Sequence, residues 1–185
     1  KVTGVQTCAL PILSKSGAKF DPEKSKWFNE QYLRKQPDAV LAARLKSMLK
    51  NGFGFDQNDP RMQEAFLLRA VQLLKERVQF EHEMIDKGIY LFRQPSRYDE
   101  QVLAKRWKPE LAAFFTELAA AFDKLESWTL ESTEQLFKDT AGKAGRKPGD
   151  VLQLFRVLIS GQGGGVNLFG MVELLGQREV IQRIN

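Results

Sequence analysis

Residues 151–176 read VLQLFRVLISGQGGGVNLFGMVELLG, and their apolar pattern is the strongest indication of fold in the chain. Apolar side chains recur three and four positions apart from Val151 to Ile159, which is the spacing of one buried helical face. Arg156 points off that face. The predicted helix ends at Ser160-Gly161, because glycine readily adopts the left-handed conformation that closes a helix.

Glycine stands at position 161 and at positions 163 to 165, a density that phosphate-binding loops also have. A Walker loop ends in Gly-Lys-Ser/Thr, a dinucleotide-binding loop needs glycine where Val166 stands, and both follow a strand. Here a predicted helix precedes the glycines. We therefore predict a flexible linker between two helices.

Composition excludes several classes of protein. The 185 residues contain no apolar run near the roughly 20 residues that span a bilayer, so we predict no membrane segment. The single cysteine, Cys8, excludes an internal disulfide framework and a cysteine-rich metal site. His82 lies between Glu81 and Glu83 with no second ligand in helical register, so we predict no metal site. The net charge of +5 suits a polyanionic partner.

The charge is unevenly distributed along the chain. Residues 13–95 contain 15 basic residues (Lys and Arg) and 11 acidic ones (Asp and Glu). Residues 96–140 contain 6 basic and 9 acidic residues, and residues 141–185 contain 6 basic and 3 acidic residues. If a nucleic acid binds, we expect the first and last segments to hold it and the acidic middle segment to serve as scaffold.

Two blocks of the chain carry a family resemblance. The Arg156 helix, the Ser-Gly turn, the linker, Leu168-Phe169 and Leu174-Leu175-Gly176 resemble the C-terminal helical cage of bacterial-type glutamyl-tRNA synthetase, a class I enzyme. Near the start, Ser14-Lys15-Ser16, Phe20-Asp21 with Lys24, and Trp27 to Arg34 resemble the block of that family that joins the active site to the tRNA stem.

The resemblance implies an all-α fold of two helical subdomains that form an anticodon-binding cage. We place the stem-contact and first helical domain at residues 13–95 and the C-terminal anticodon-binding domain at residues 96–185. No alternating strand pattern persists along the chain. The β-barrel anticodon domain of glutaminyl and of archaeal or eukaryotic glutamyl enzymes therefore does not fit.

Residues 1–12 are interpreted as foreign to the protein. The segment from Val2 to Ile12 is what the translation of a common sequencing-library adaptor gives, so we exclude it from the fold prediction. On this interpretation the gene is truncated before Leu13, and Cys8 is not a natural residue.

No catalytic residue is predicted. Leu13-Ser14-Lys15-Ser16-Gly17 also resembles the KMSKS loop of class I synthetases, but the block that follows it belongs to the later stem-contact region. The parent enzyme joins glutamate to tRNA with ATP and Mg²⁺ in its catalytic domain. We expect this chain to hold no cofactor and to be inactive alone in aminoacylation.

Turn and cap signals divide the first part of the chain into helices. Asp21-Pro22 predicts a helix start, with Trp27, Phe28 and Leu33 on its apolar side. A second helix is predicted from Asp38 to Asn51-Gly52. Asp59-Pro60 predicts the start of the longest helix, whose apolar stripe ends at Arg77, and a shorter helix breaks before Pro95.

The second part begins near Tyr98. A stripe of apolar residues predicts a buried helix: Leu111, Phe114, Phe115, Leu118, Phe122 and Leu125. The next helix is capped by Thr129 or by Ser132, with Gln135 placed to complete a capping box with Ser132, and it ends at Ala141-Gly142. Pro148-Gly149-Asp150 starts the Arg156 helix.

The resemblance implies two groups of site residues. The residues predicted to contact the anticodon are Arg77, Arg156, Gly165 and Leu168. Those predicted to contact the tRNA stem or phosphates are Lys15, Lys24, Arg34, Lys143, Arg146 and Lys147. Arg77 also fits a simple cation at a helix C-terminus, worth about 0.3–1 kcal/mol. Gly165 stands where the family can place a hydroxyl residue.

The predicted function is recognition of the stem and anticodon of tRNA(Glu) by a cytoplasmic, monomeric protein. Two alternatives remain open. One is the comparable helical cage of a class I lysyl-tRNA synthetase. The other is a helical protein-interaction scaffold without RNA function.

Overall fold

A computed structural model describes residues 22–185, and within this range every regular element is helical. Ten α-helices lie there: α1 Pro22–Lys35, α2 Asp38–Phe53, α3 Glu64–Leu74, α4 Glu83–Asp86, α5 Glu100–Arg106, α6 Leu111–Asp123, α7 Leu130–Lys143, α8 Pro148–Ser160, α9 Leu168–Leu175 and α10 Gln177–Ile184. The all-α prediction is confirmed. No helix of the described range is long and apolar enough to cross a membrane.

Helix α1 differs from its predicted packing. Leu33 is buried as expected, but Trp27 is 54% exposed and Phe28 is 55% exposed. Their rings pack edge to face on each other, with centroids 5.1 Å apart, and not on the core. The predicted cap Asp21 lies outside the described residues.

Helices α2 and α3 pack together and form the core of the first part, and both have boundaries that differ from the prediction. Helix α2 runs to Phe53 and closes at Gly54, whose φ is 67°, so Asn51-Gly52 does not end it. Asp59 caps a single 3₁₀ turn, Pro60–Met62, and α3 starts separately at Glu64. The predicted longest helix is therefore interrupted, and α2, with 16 residues, is the longest helix within residues 22–185.

Helix α6 is the apolar helix that the sequence predicts. Its stripe from Leu111 to Phe122 is buried, and Leu125 packs against the same core. Phenylalanines of neighbouring helices complete this core: Phe137 of α7 stacks on Phe155 of α8 with ring centroids 5.1 Å apart. Helix α5, which precedes α6, was not predicted.

The start of α7 settles the open choice of cap. The Thr129 hydroxyl accepts from the Ser132 backbone amide at 3.2 Å, and the Ser132 hydroxyl accepts from the Thr129 amide at 3.0 Å. Thr129 is thus the cap, and Ser132 is the third residue of the box. Gln135 donates to Asp139 instead, and α7 continues to Lys143.

Helix α8 ends where the sequence predicts, at Gly161, whose φ is 76°. Asn167 then caps α9 by accepting from the Gly170 amide at 2.7 Å. A side chain at Gly170 would stand 2.9 Å from Leu73, so the glycine allows α9 to approach α3 closely. The linker 161–167 is therefore held at both ends by well-packed helices.

The segments before and after Pro95 share one hydrophobic core. Arg183 of α10 joins them, because its Nη1 donates to the carbonyls of Tyr90 at 2.8 Å and of Ile159 at 2.6 Å. The surfaces near Tyr90 and near the end of α8 are consequently fixed relative to each other.

Candidate nucleic-acid interface

Arg156 lies at the centre of the site. It leaves the apolar face of α8, as predicted, and its Nη1 donates to the Val166 carbonyl at 2.7 Å. The bond crosses the glycine linker and fixes its conformation. Burial lowers the pKa of the Arg156 guanidinium, and the nearby Arg77 charge lowers it further, while Tyr90 raises it.

Tyr90 lies beside Arg156 and the linker, although the sequence did not identify it as a candidate functional residue. Its side chain is buried, and a Cβ added to Gly165 would stand 3.2 Å from its hydroxyl and 3.8 Å from Arg156 Nη1. Burial raises the pKa of the Tyr90 hydroxyl, while a hydrogen bond that it accepts from the Val166 backbone amide and the charges of Arg156 and Arg77 lower it. Tyr90 thus joins the linker to the segment before Pro95.

Arg77 lies in the 3₁₀ turn Lys75–Arg77 that follows α3. Its side chain is exposed and forms no ion pair with any residue in 22–185, whereas its carbonyl accepts from Lys87 Nζ at 3.2 Å. Its charge acts on both Tyr90 and Arg156. Of the four residues predicted to contact the anticodon, the structure places Gly165 beside Arg156, and the charge of Arg77 influences the pKa of Arg156.

Gly165 and Leu168 differ in what they can offer a ligand. Gly165 has a φ of 142°, a conformation that favours glycine, and its backbone is exposed beside Arg156. Leu168 is the first residue of α9, and its side chain is buried in the core. The whole residue is 4% exposed, so Leu168 offers little surface to a ligand in this conformation.

The predicted contacts of α1 lie apart from this group along the chain. Arg34 pairs with Glu30 at 2.6 Å, one helical turn away. Lys24 Nζ lies 5.9 Å from the centre of the Phe28 ring. Lys15 lies outside the described residues.

Arg146 belongs to a basic cavity that the sequence analysis only half identified. The cavity has a volume of about 260 Å³ and is lined by Lys105, Arg106, Lys108, Leu111, Arg146, Asp150 and Val151. Lys143 and Lys147 are exposed nearby in the chain but do not line it. The middle segment, which we expect to serve as scaffold, contributes three cations to this cavity: residues 105–108 read KRWK, a local cluster that the acidic total of the segment hid.

No group of three or more His, Cys, Asp or Glu side chains within residues 22–185 is arranged to hold a metal ion. The His82 ring stacks on Phe80 with centroids 5.6 Å apart.

A family model matches most of the chain. The sequence model of a family described as the anticodon binding domain matches residues 40–185, which include Arg77, Tyr90, Arg156 and the basic cavity.

Among curated proteins, the chain is similar to glutamate–tRNA ligases. It is 38% identical over 181 residues to that of Flavobacterium johnsoniae and 30% identical over 186 residues to that of Chlorobaculum parvum. Each match covers 97% of this chain but only 34% and 37% of the relative. The chain spans about a third of the length of these relatives.

A solved structure shares the fold. It is a glutamate tRNA ligase from Elizabethkingia meningosepticum in complex with its amino acid, with a TM-score of 0.81 and 30% identity. The match covers 92% of this chain and 33% of the solved one.

Proposed function

The chain belongs to the anticodon-binding domain family, and on that premise we propose that it recognises the anticodon of tRNA(Glu) as the C-terminal part of a glutamate–tRNA ligase. The parent enzyme would attach glutamate to this tRNA with ATP and Mg²⁺ bound outside residues 22–185. The chain alone would be a monomeric, cytoplasmic RNA-binding module with no cofactor and no aminoacylation activity.

One observation carries the proposal: Gly165 lies beside both Tyr90 and Arg156, and the charge of Arg77, which precedes Pro95, acts on the same two side chains. Arginine has five N–H donors in a fixed geometry and no acceptor. It therefore suits the carbonyl and ring-nitrogen acceptors on the edges of unpaired bases.

The two arginines would play different parts. Arg77 is exposed and makes no ion pair with a described residue, so its whole guanidinium can bind a base or phosphate. Arg156 uses one donor on the Val166 carbonyl. No buried side-chain nitrogen in the described range lacks a partner, so its other donors reach solvent at the site. A hydrogen bond from this half-buried group is stronger than one in open water.

The linker contributes shape. Gly164 and Gly165 are exposed and carry no side chains, so a ligand can approach the backbone beside Arg156. The Arg156 and Tyr90 contacts hold this backbone in place before the RNA arrives, which lowers the entropic cost of binding.

The proposal is tested by anisotropy titration of the chain with a tRNA transcript carrying the glutamate anticodon and with an anticodon-swapped transcript. We expect the wild-type chain to prefer the glutamate anticodon and its affinity to fall with rising salt, because phosphate contacts release counterions. Arg77→Ala should lose about 1–3 kcal/mol of that preference, the range of one bidentate base contact. Arg178→Ala, an exposed arginine of α10, is the control and should keep the preference.

Each alternative gives a different result. Equal binding of both transcripts would refute base recognition by this chain. A preference for a lysine anticodon would favour the lysyl-tRNA synthetase cage. No binding at low salt would leave the protein-interaction scaffold, since electrostatic contacts are strongest there.

A further inference from the structure

We propose that α5 and its C-terminal extension form a second, sequence-independent RNA subsite, which binds one unpaired nucleotide next to the anticodon-contacting surface. The base would stack on Trp107, and its phosphate would bind in the basic cavity of Lys105, Arg106, Lys108 and Arg146. This inference rests on the proposed function, because it assumes that RNA occupies the neighbouring site.

The position of α5 is the first argument. The Asp99 amide donates to the Gly161 carbonyl at 2.9 Å, so α5 begins beside the glycine linker. Its last residue, Arg106, lines the same cavity as Asp150 in the first turn of α8. Helix α5 therefore runs back along α8, and its seven residues span about 10 Å. RNA bound at Arg156 and the linker would have this helix within reach.

Trp107 forms a fixed aromatic surface. The residue is 41% exposed, yet its ring lies parallel to the buried Phe115, at an interplanar angle of 10° and a centroid distance of 6.3 Å. It also lines an open apolar cleft of about 520 Å³ with Tyr98, Leu103, Ala104 and Leu158. A tryptophan supported from one side and open on another is suited to stacking with a base, since every base has an aromatic face.

The basic cavity on the next turn of the chain supplies the charge. Lys105, Arg106 and Lys108 form no ion pair with any residue in the described range, and the half-buried Arg106 side chain makes no hydrogen bond there. Arg146 has only a weak pair with Glu110, at 3.8 Å. Asp150 is the single carboxylate among the lining residues, so the cavity has a clear excess of positive charge.

The combination favours a nucleotide over a protein partner. An apolar cleft alone would suit many occupants, but four cations within the same short stretch of surface require a counter-charge. A phosphate joined to a base supplies both features at adjacent positions. Because neither stacking nor phosphate binding uses a base edge, this site should add affinity without adding anticodon preference.

The test uses the 185-residue chain and the same two tRNA transcripts. Trp107→Ala should weaken binding of both transcripts equally, by roughly five- to a hundredfold, the range of one lost base stack. Trp107→Phe should restore most of the affinity, because phenylalanine still stacks. Circular dichroism confirms that each variant keeps its helical fold.

A triple variant tests the phosphate contacts. Lys105→Ala with Arg106→Ala and Lys108→Ala should lower the slope of log affinity against log salt by about 0.7, the contribution of the one phosphate that the subsite binds. The control removes three exposed cations elsewhere, Lys50→Ala with Lys124→Ala and Arg178→Ala, and should leave the slope unchanged.

The outcomes separate this inference from the proposed function. If the wild-type chain prefers the glutamate anticodon but neither the Trp107→Ala nor the triple variant weakens binding, the subsite is refuted and anticodon recognition stands. If Trp107→Ala changes the ratio between the two transcripts, the residue contacts a specific base and the sequence-independent role is wrong. If the wild-type chain binds neither transcript, both proposals fail.

Discussion

Tyr90 makes the site sensitive to alkaline pH. Burial raises the pKa of its hydroxyl above the ordinary value of about 10, so the unfolded chain loses this proton at a lower pH than the folded chain does. Below that ordinary value the residue is neutral in both states, and its contribution to stability is intact. As the pH rises through the ordinary pKa of tyrosine, the free energy of unfolding should fall, because the unfolded state then binds fewer protons than the folded state.

The measurement is urea unfolding of the wild-type chain and of Tyr90→Phe at several pH values between 8 and 11. The wild-type chain should lose stability more steeply than Tyr90→Phe in the upper half of this range. Tyr32→Phe is the control, because Tyr32 is 61% exposed and its surroundings change little on unfolding. Parallel pH profiles for the wild-type chain and Tyr90→Phe would contradict the assignment.

Single residues also mark the limit of prediction from the sequence. Arg156 was singled out because a charge interrupts an apolar pattern, and that signal is local. Its partner Tyr90 lies 66 positions earlier in a short helical stretch, where an aromatic residue looks like any other core residue. The contact depends on the packing of the linker against the turn Ile89–Leu91, which no pattern of either segment encodes.

At the scale of helices, the capping box of α7 gives a direct test of hydrogen-bond geometry. Thr129→Ala removes the acceptor of the Ser132 amide and should lower the free energy of unfolding by about 1 kcal/mol, within the usual range for a lost N-cap. Gln135→Ala removes only a bond to the exposed Asp139 and should change it by less than about 0.5 kcal/mol.

Thermal and urea unfolding of both variants decides between the two assignments of the box. A larger loss from Gln135→Ala than from Thr129→Ala would support the box that the sequence predicted and contradict the one in the structure.

Periodicity predicted the helices better than it predicted their ends. The buried stripe of α6 was predicted correctly, because a helix that buries one face has apolar residues three and four positions apart in its sequence. The end of α2 was misplaced because Gly52 and Gly54 are both compatible with a stop, and only the backbone shows that Gly54 has the left-handed conformation. The pattern of α1 also left open what its aromatic side covers, and Trp27 and Phe28 are exposed.

The basic cavity forms at the scale of the whole molecule. Its cations come from the end of α5 and from the loop before α8, about 40 positions apart. The total charge of each segment does not show these local clusters, because acidic residues elsewhere in the segment offset them. A local search for the KRWK cluster would have found one half of it. The other half requires the antiparallel packing of α5 on α8.

Arg183 links the segments before and after Pro95 through buried hydrogen bonds. It is only 7% exposed, and it donates to carbonyls of Tyr90, Arg93 and Ile159 while pairing with Glu179 at 2.8 Å. Burial lowers the pKa of its guanidinium and Glu179 raises it. Since two of the three carbonyls precede Pro95 and Arg183 is near the last residue of the chain, these bonds join the segment around Tyr90 to the C-terminal helix.

Replacing Arg183 by methionine should therefore weaken both the fold and the site. The change leaves buried carbonyls without a donor, and we expect the free energy of unfolding to fall by about 3 kcal/mol. Arg178→Met, on the same helix but exposed, should stay within about 0.5 kcal/mol of the wild-type chain. Urea unfolding followed by circular dichroism and by tryptophan fluorescence measures both, and the two probes should report one shared transition, as expected for a continuous core.

At a urea concentration where Arg183→Met is still folded, its anticodon preference should be smaller than that of the wild-type chain, because Tyr90 and the end of α8 are no longer fixed to each other. A variant that matches the wild-type chain in both stability and preference would show that the core alone positions the site.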